Sequence, residues 1–175
     1  MLRALNALTG AGLSPEKLAA LSLPLGADVP YCVLGGTMLA EGVGERLTAL
    51  PALPDCAILL CKPDFPSPTG AVFAAYDAAP PQSCTRTADL LPALEKRSLP
   101  DIAARCANAL EPVVAAAHPE IAEIRRTLTA CGALGSMMTG SGSAVCGIFP
   151  DDTAAQPALE ALRTRYAQTF LAHPM

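Results

Sequence analysis

Apolar residues recur with a helical period at the start of the 175-residue chain and form strand-like runs further on. Leucines at positions 2, 5 and 8 share one face and predict a helix from residue 1. Ser14-Pro15-Glu16 then supplies a cap, a first-turn proline and a first-turn acid for a second helix. Runs at residues 37–41 and 46–50 flank Gly42-Val43-Gly44 and predict a hairpin. Because no capping residue precedes the first helix, we expect the chain to begin inside a larger protein.

Prolines at positions 51 and 54 predict a boundary between two domains, residues 1–53 and 54–175. Beyond it the pattern predicts β-α-β-β-α-β with a helical insert, the order of the split, ferredoxin-like sandwich. We therefore expect an α+β fold in which helices cover one face of an antiparallel sheet. Pro80-Pro81 should end the first of these helices, and Pro157 should delay or kink the last. The predicted strands are residues 56–61, 134–139, 143–149 and 169–172, and the predicted helices are 69–78, 88–94, 101–110, 111–117, one from 119, and one carrying Leu159, Leu162 and Tyr166.

Charge and composition exclude several classes of function. A net charge of −4 without any basic run argues against a nucleic-acid partner and against an anionic membrane surface. No apolar stretch reaches the roughly 20 residues of a membrane span, and the first residues lack a secretory signal. The seven cysteines include no Cys-x-x-Cys pair. We therefore expect reduced thiols in a cytoplasmic protein, without a metal site.

One carboxylate, Asp28, stands in an apolar run of the sequence Leu-Gly-Ala-Asp-Val-Pro-Tyr-Cys. Gly26 permits unusual backbone angles, and Pro30 can open a helix that Gly35-Gly36 then ends. Asp28 is thus predicted at a helix N-terminus, which favours an ionised carboxylate. It is either a simple N-cap or a functional carboxylate, and the local pattern leaves both interpretations open.

A second informative stretch is Gly140-Ser141-Gly142, between two predicted strands. Such a turn can direct its N–H groups outward and bind an anion. It can equally be an ordinary hairpin turn whose glycines supply positive φ angles. It is not a Walker loop, because no Gly-Lys-Ser/Thr follows.

Three further residues have simple structural interpretations. Thr69 follows Pro68 and would ordinarily be the N-cap of the next helix. Phe73 would ordinarily belong to the core. His118 is predicted as a solvated residue at a helix junction.

The Asp28 run and the Gly140–Gly142 turn, taken together at this separation, resemble the GHMP superfamily of small-molecule kinases. Within it, the chain is most similar to the branch that acts on a cytidine-diphosphate-linked methylerythritol. The resemblance covers essentially the whole chain, and the Gly-Ala-Asp-Val-Pro run is the more specific motif. Further matches are residues 2–6, 41–45 and 63–73.

This resemblance implies ATP-dependent phosphorylation of the substrate's 2-hydroxyl, in the non-mevalonate route to isoprenoids. Asp28 matches the catalytic carboxylate, Phe73 the aromatic that stacks on cytosine, and Thr69 a neighbouring substrate contact. Gly140, Ser141 and Gly142 match the loop beside the phosphates. The fold implied is the GHMP-kinase C-terminal domain, preceded by the tail of the N-terminal domain. Phosphoryl transfer asks mainly for positioning and charge stabilisation, which is compatible with these residues.

The chain departs from the family pattern at its N-terminal side. The glycine- and serine-rich ATP loop, an N-terminal lysine and one side of the cytosine pocket have no counterpart here, so we expect a truncated, inactive kinase. The complete enzyme would use ATP with Mg²⁺ on a small-molecule substrate. Exposed apolar residues would favour self-association through residues 1–50. The alternatives are another GHMP kinase, or a non-catalytic ferredoxin-like binding or dimerisation module.

Overall fold

The structure, a computed structural model, describes residues 1–79 and 87–174. These residues form two compact units, Met1–Ala52 and Leu53–Pro174. The predicted break at Pro80-Pro81 lies outside the described residues. None of the helices in the described ranges is both long and apolar enough to cross a lipid bilayer.

The N-terminal unit contains three helices and a two-stranded hairpin. Ser14 caps the second helix as predicted, because its side chain accepts a hydrogen bond from the Lys17 N–H. A small core forms around Leu18, Ala19 and Val33, whereas Leu8 on the first helix is 84% exposed. The elements are α1 (Leu2–Thr9), α2 (Pro15–Ser22), a 3-10 turn (Leu23–Leu25), α3 (Val29–Leu34), β1 (Met38–Glu41) and β2 (Arg46–Ala49).

The C-terminal unit is built on a four-stranded sheet with the spatial order β4-β5-β3-β6, in which all neighbours are antiparallel. This arrangement confirms the predicted ferredoxin-like α+β fold. The elements are β3 (Ala57–Lys62), α4 (Thr69–Ala78), α5 (Thr87–Glu95), α6 (Leu99–Arg105), α7 (Glu111–Ala117), α8 (Glu120–Ala130), β4 (Gly135–Met138), β5 (Val145–Phe149), α9 (Asp152–Arg163) and β6 (Gln168–Ala172).

The main departures from the predicted helix boundaries are at the end of α6 and at the start of α9. Helix α6 ends at Arg105 rather than at residue 110, because Cys106 takes an extended backbone conformation. Helix α9 begins at Asp152, where the Asp151 side chain accepts from the Ala154 N–H. Pro157 therefore lies inside α9 and does not delay its start.

The main core lies between one face of the sheet and helices α8 and α9. Ile121, Ile124 and Leu128 follow the helical period and are fully buried on α8. They pack with alternate residues of the central strand β3, Ala57, Leu59 and Cys61. The alternation of strand side chains thus fixes which face of the sheet receives the helices.

Helix α6 adds a smaller apolar cluster to the opposite face of the sheet. Ile58 and Ile148 are paired across β3 and β5 and face away from the main core. They pack with Cys56 and with Ala103 of α6. Helices therefore lie on both faces, in contrast to the expectation of a sheet covered on one. The approach is close, since a Cβ added at Gly135 would lie 2.1 Å from the Ala103 carbonyl oxygen.

Candidate functional site

The Gly140–Gly142 turn connects β4 to β5 at the end of the sheet. Gly140 and Gly142 have φ angles of 58° and 86°, which favour glycine. The Gly142 N–H donates to the Thr139 carbonyl oxygen at 3.0 Å and closes the turn. Within the described residues, the amides of Gly140 and Ser141 donate to no backbone or side-chain acceptor. This leaves two adjacent donors for an anion.

Residues 63–69, which include the loop between β3 and α4 and the first residue of α4, are hydrogen-bonded at three places to the turn and to Ser143, which follows it. The Ser143 hydroxyl donates to the Pro63 carbonyl oxygen at 3.1 Å. The Ser67 hydroxyl donates to the Ser141 carbonyl oxygen. The Thr69 and Ser141 hydroxyl oxygens lie 2.9 Å apart. Two segments separated by more than 70 residues in sequence therefore form one continuous surface.

Thr69 and Phe73 do not have the simple structural roles that the sequence permits. Pro68 occupies the N-cap position of α4, so the N-cap interpretation of Thr69 is wrong. Phe73 lies four residues after Thr69, on the same side of α4. It is 50% exposed, so the core interpretation is also wrong. The Thr69 hydroxyl thus lies at the turn, and the exposed Phe73 ring lies one helical turn further along α4.

Asp28 belongs to the N-terminal unit and stands at the N-cap position of α3. The Cys32 N–H donates to the Asp28 carbonyl oxygen at 3.1 Å, as the first bond of the helix. The Asp28 side chain is exposed and makes no capping hydrogen bond. Asp28 therefore occupies the position of a cap without acting as one, which leaves its carboxylate available.

His118 differs from its predicted environment. It follows α7 and is half-buried, and its ring stacks on Phe65 with the ring centroids 3.7 Å apart and the planes within 2°. The predicted position at a helix junction is confirmed, but the expectation that His118 is solvated is wrong. Phe65 lies in the loop between β3 and α4, so this stacking adds a further support for that loop.

Residues 90–168 match the family model described as GHMP kinases C terminal. The C-terminal unit is a GHMP kinase C-terminal domain. A relative from Clostridium botulinum (strain Eklund 17B / Type B), named 4-diphosphocytidyl-2-C-methyl-D-erythritol kinase, is 37% identical over 171 residues, which are 98% of this chain and 61% of the relative. One of the same name from Alkaliphilus oremlandii is 38% identical over 172 residues, covering 98% of this chain and 59% of the relative. The chain thus spans about three fifths of the length of these relatives.

Two solved structures extend the match to three dimensions. The crystal structure of 4-(cytidine 5'-diphospho)-2C-methyl-D-erythritol kinase superposes with a TM-score of 0.78 at 34% identity, over 97% of this chain and 60% of that one. Homoserine kinase from Cytophaga hutchinsonii gives a TM-score of 0.73 at 18% identity, over 98% of this chain and 61% of that one. The second likeness concerns the fold alone.

Two residues that the sequence analysis missed hold the turn of this GHMP kinase domain from the side of α7. The Asn108 amide group donates to the carbonyl oxygens of Met138 and Gly140, at 2.8 and 2.7 Å. The Glu111 carboxylate accepts from the Met138 N–H at 2.7 Å. The only sequence signal was an asparagine just ahead of a Glu-Pro helix start, which is typical of an Asx turn. That signal does not reveal a partner 30 residues away.

The described part of this domain also has buried cysteine thiols and a cleft between α5 and α6. Burial raises the pKa of the Cys61 and Cys146 thiols, which keeps them protonated. Within residues 1–79 and 87–174, no three His, Cys, Asp or Glu side chains form a group suited to a metal ion. A cleft of about 290 Å³ between α5 and α6 includes none of the predicted site residues.

Proposed function

We propose that this chain serves in ATP-dependent phosphorylation of the 2-hydroxyl of 4-diphosphocytidyl-2-C-methyl-D-erythritol. The observation that carries the proposal is the contact between Thr69 and Ser141, whose hydroxyl oxygens lie 2.9 Å apart. Thr69 was predicted on the substrate side and Ser141 on the phosphate side. A kinase must hold the phosphate of ATP in line with the substrate hydroxyl that accepts it. A surface that joins the loop on the substrate side to the loop on the phosphate side fits this reaction.

Asp28 is proposed as the catalytic carboxylate. Phosphoryl transfer has a loose transition state, so the carboxylate needs to orient the attacking hydroxyl and accept its proton late. An exposed side chain without a capping hydrogen bond can take up that contact. Residues 1–53 are proposed to correspond to the end of the family's N-terminal domain, and residues 54–175 to its C-terminal domain.

Phe73 is proposed to stack on the cytosine ring, with Thr69 as a neighbouring polar contact. Phe73 has half of its surface uncovered on α4, and an exposed aromatic ring is a stacking platform for a base. The two residues lie one helical turn apart, which suits a base and the group attached to it.

The Gly140–Gly142 turn is proposed to lie beside the ATP phosphates. The amides of Gly140 and Ser141, together with the Ser141 hydroxyl, are the donors that would contact them. Kinases of this family use ATP, with Mg²⁺ implied by the reaction. The described residues offer no metal-binding group, so no step is assigned to Mg²⁺.

The 175 residues contain no glycine- and serine-rich phosphate loop of the family type. Positioning of the donor phosphate can supply about 7–11 kcal/mol of the barrier. We therefore expect the chain by itself to release ADP only at the background rate.

The test compares the 175-residue chain with a hybrid in which the segment preceding the matched region of the Clostridium botulinum relative is joined in front of it. We expect ADP release only from the hybrid, and with the cytidine substrate rather than with homoserine or mevalonate. Robust turnover by the 175-residue chain would refute the need for the loop. A folded hybrid that is inactive on the cytidine substrate would refute the proposed function, and activity on homoserine or mevalonate would point to another GHMP kinase.

A further inference from the structure

Asn108 uses every hydrogen-bonding group of its side chain on main-chain atoms. Its amide nitrogen donates to the carbonyl oxygens of Met138 and Gly140, which lie on either side of Thr139. Its amide oxygen accepts from the Leu110 N–H at 2.9 Å. One side chain thus ties the start of α7 to the peptide groups at the beginning of the turn.

These bonds determine where the turn's own N–H groups point. A carbonyl and the following N–H belong to one planar peptide unit and point in opposite directions. Fixing the Gly140 carbonyl therefore fixes the Ser141 N–H, which has no acceptor among the described residues. Fixing the Met138 carbonyl likewise fixes the Thr139 N–H, which donates to Ala144 at 2.8 Å.

Glu111 holds the preceding peptide unit in the same way. One carboxylate oxygen accepts from the Met138 N–H, and the other pairs with the Arg125 guanidinium. The Glu111 side chain is only 12% exposed, so the arginine offsets a charge that is largely removed from water. Asn108 and Glu111, just before and at the start of α7, thereby orient three of the four peptide units between residues 137 and 141.

We infer that Asn108 is a positioning residue for the Gly140–Gly142 turn, with Glu111 and Arg125 as its support. We assign Asn108 no contact with substrate or phosphate. It orients the Ser141 amide, and the inference rests on the proposed function only in assigning that amide to a phosphate. A free turn would sample other peptide orientations, and each of them would remove a donor from the phosphate.

Asn108→Asp is the most informative variant. It keeps the size of the side chain and the acceptor for the Leu110 N–H, but it removes both donations and places a negative charge against two carbonyl oxygens. Asn108→Ala removes all three bonds. Asn6→Asp is the matched control, because Asn6 is the chain's other asparagine and bonds the backbone of Leu13 in the N-terminal unit.

The first measurement uses NMR on the 175-residue chain and does not depend on turnover. In Asn108→Asp we expect the amide resonances of Gly140 and Ser141 to shift and broaden, while those of β3 and β6 stay in place. Asn6→Asp should leave Gly140 and Ser141 unchanged. Unchanged turn resonances in a folded Asn108→Asp chain would overturn the positioning role. A global collapse of the spectrum in both Asn108 variants would instead assign Asn108 to the stability of the fold, and would also overturn it.

The second measurement is made in the hybrid enzyme. Because a misplacement of about 1 Å can cost about 10²-fold in rate, we expect Asn108→Asp to lower kcat at least about tenfold. The KM for the cytidine substrate should change by less than about threefold, since the Phe73 and Thr69 contacts remain. A change confined to that KM would overturn the inference. If the parent hybrid is inactive, the proposed function fails, while the NMR result still decides whether Asn108 orients the turn.

Discussion

Asp28 and Ser141 both lie in glycine-containing segments, but the protein holds them differently. The turn around Ser141 is bonded by side chains of Ser67, Thr69 and Asn108. The Asp28 side chain has no capping bond, and its position follows from the backbone at the start of α3. Hydrogen-bond donors that are already held in place, as in the turn, cost no free energy of reorganisation during a reaction. An exposed carboxylate such as Asp28 can instead move with the substrate.

Because of this difference, the effect of a substitution on the reaction can be measured separately from its effect on stability at Asp28, but not at the turn. A change at Asp28 removes a chemical group without removing a hydrogen bond between its side chain and any of the described residues. A change around the turn alters both the geometry of the donors and the bonds that stabilise the loop. This separation is cleanest at Asp28.

The largest effect is expected for Asp28→Asn in the hybrid enzyme. General acid–base groups contribute about 10²- to 10⁴-fold, so kcat should fall within that range. The melting temperature of the 175-residue chain should barely move, because substitutions at exposed positions stay within about 0.5 kcal/mol. ADP release and thermal melting measure the two quantities.

Asp55→Asn is the matched control for this prediction. It makes the same chemical change at an exposed aspartate outside the proposed site. We expect it to leave kcat within about twofold of the parent, as befits a surface substitution. An Asp28→Asn hybrid that retains full turnover would remove Asp28 from the mechanism.

An intermediate effect is expected for Phe73→Ala. Stacking of a base on an aromatic ring is worth about 1–3 kcal/mol, so the affinity for cytidine diphosphate should fall about 5- to 150-fold. NMR titration of the 175-residue chain measures it, with the strongest shifts expected around Phe73. Phe170→Ala is the control, because Phe170 on β6 is similarly exposed at 56%. Equal weakening by both variants, or shifts confined to distant residues, would contradict the stacking assignment.

The smallest effect concerns self-association through residues 1–50, which we propose from the exposed apolar residues of the N-terminal unit. Leu8 is 84% exposed and Leu25 is 68% exposed, and such surfaces tend to find partners. Leu8→Lys should weaken self-association by about 1 kcal/mol, since only part of a leucine's burial is lost. Sedimentation over a range of concentrations tests this. A parent chain that stays monomeric at the highest concentration would contradict the proposal.

The periodic parts of the fold could be predicted from the sequence, because local patterns determine them. Helix α8 shows this best, with its buried face at Ile121, Ile124 and Leu128. The end of α6 was missed because its last turn depends on the extended backbone at Cys106, which no local signal indicates. The smaller apolar cluster that α6 forms on the opposite face of the sheet was missed as well. It depends on contacts between α6 and β4, which are about 30 residues apart in sequence.

For the candidate site, the sequence indicated the motifs but not their supports. Motifs in the sequence were enough to name Asp28, Thr69, Phe73 and the Gly140–Gly142 turn. The roles of these residues remain proposals. The contact between Thr69 and Ser141 could not be foreseen, because it depends on strand order. Asn108 was missed for a similar reason, since its bonding partners depend on how the segment before α7 lies against the end of β4.

Gly135 begins β4 and Gly140 follows it in the turn, and different physical constraints act on the two glycines. At Gly135 any side chain would collide with the Ala103 carbonyl oxygen, so the fold itself disfavours substitution there, whether or not the protein binds a ligand. At Gly140 an added Cβ would meet nothing within 4 Å, and only the φ of 58° restricts the choice. Asparagine and aspartate tolerate that angle. If asparagine and aspartate were absent from position 140 in related sequences, that absence would therefore indicate a bound ligand. An invariant glycine at position 135 would indicate only that β4 and α6 approach closely.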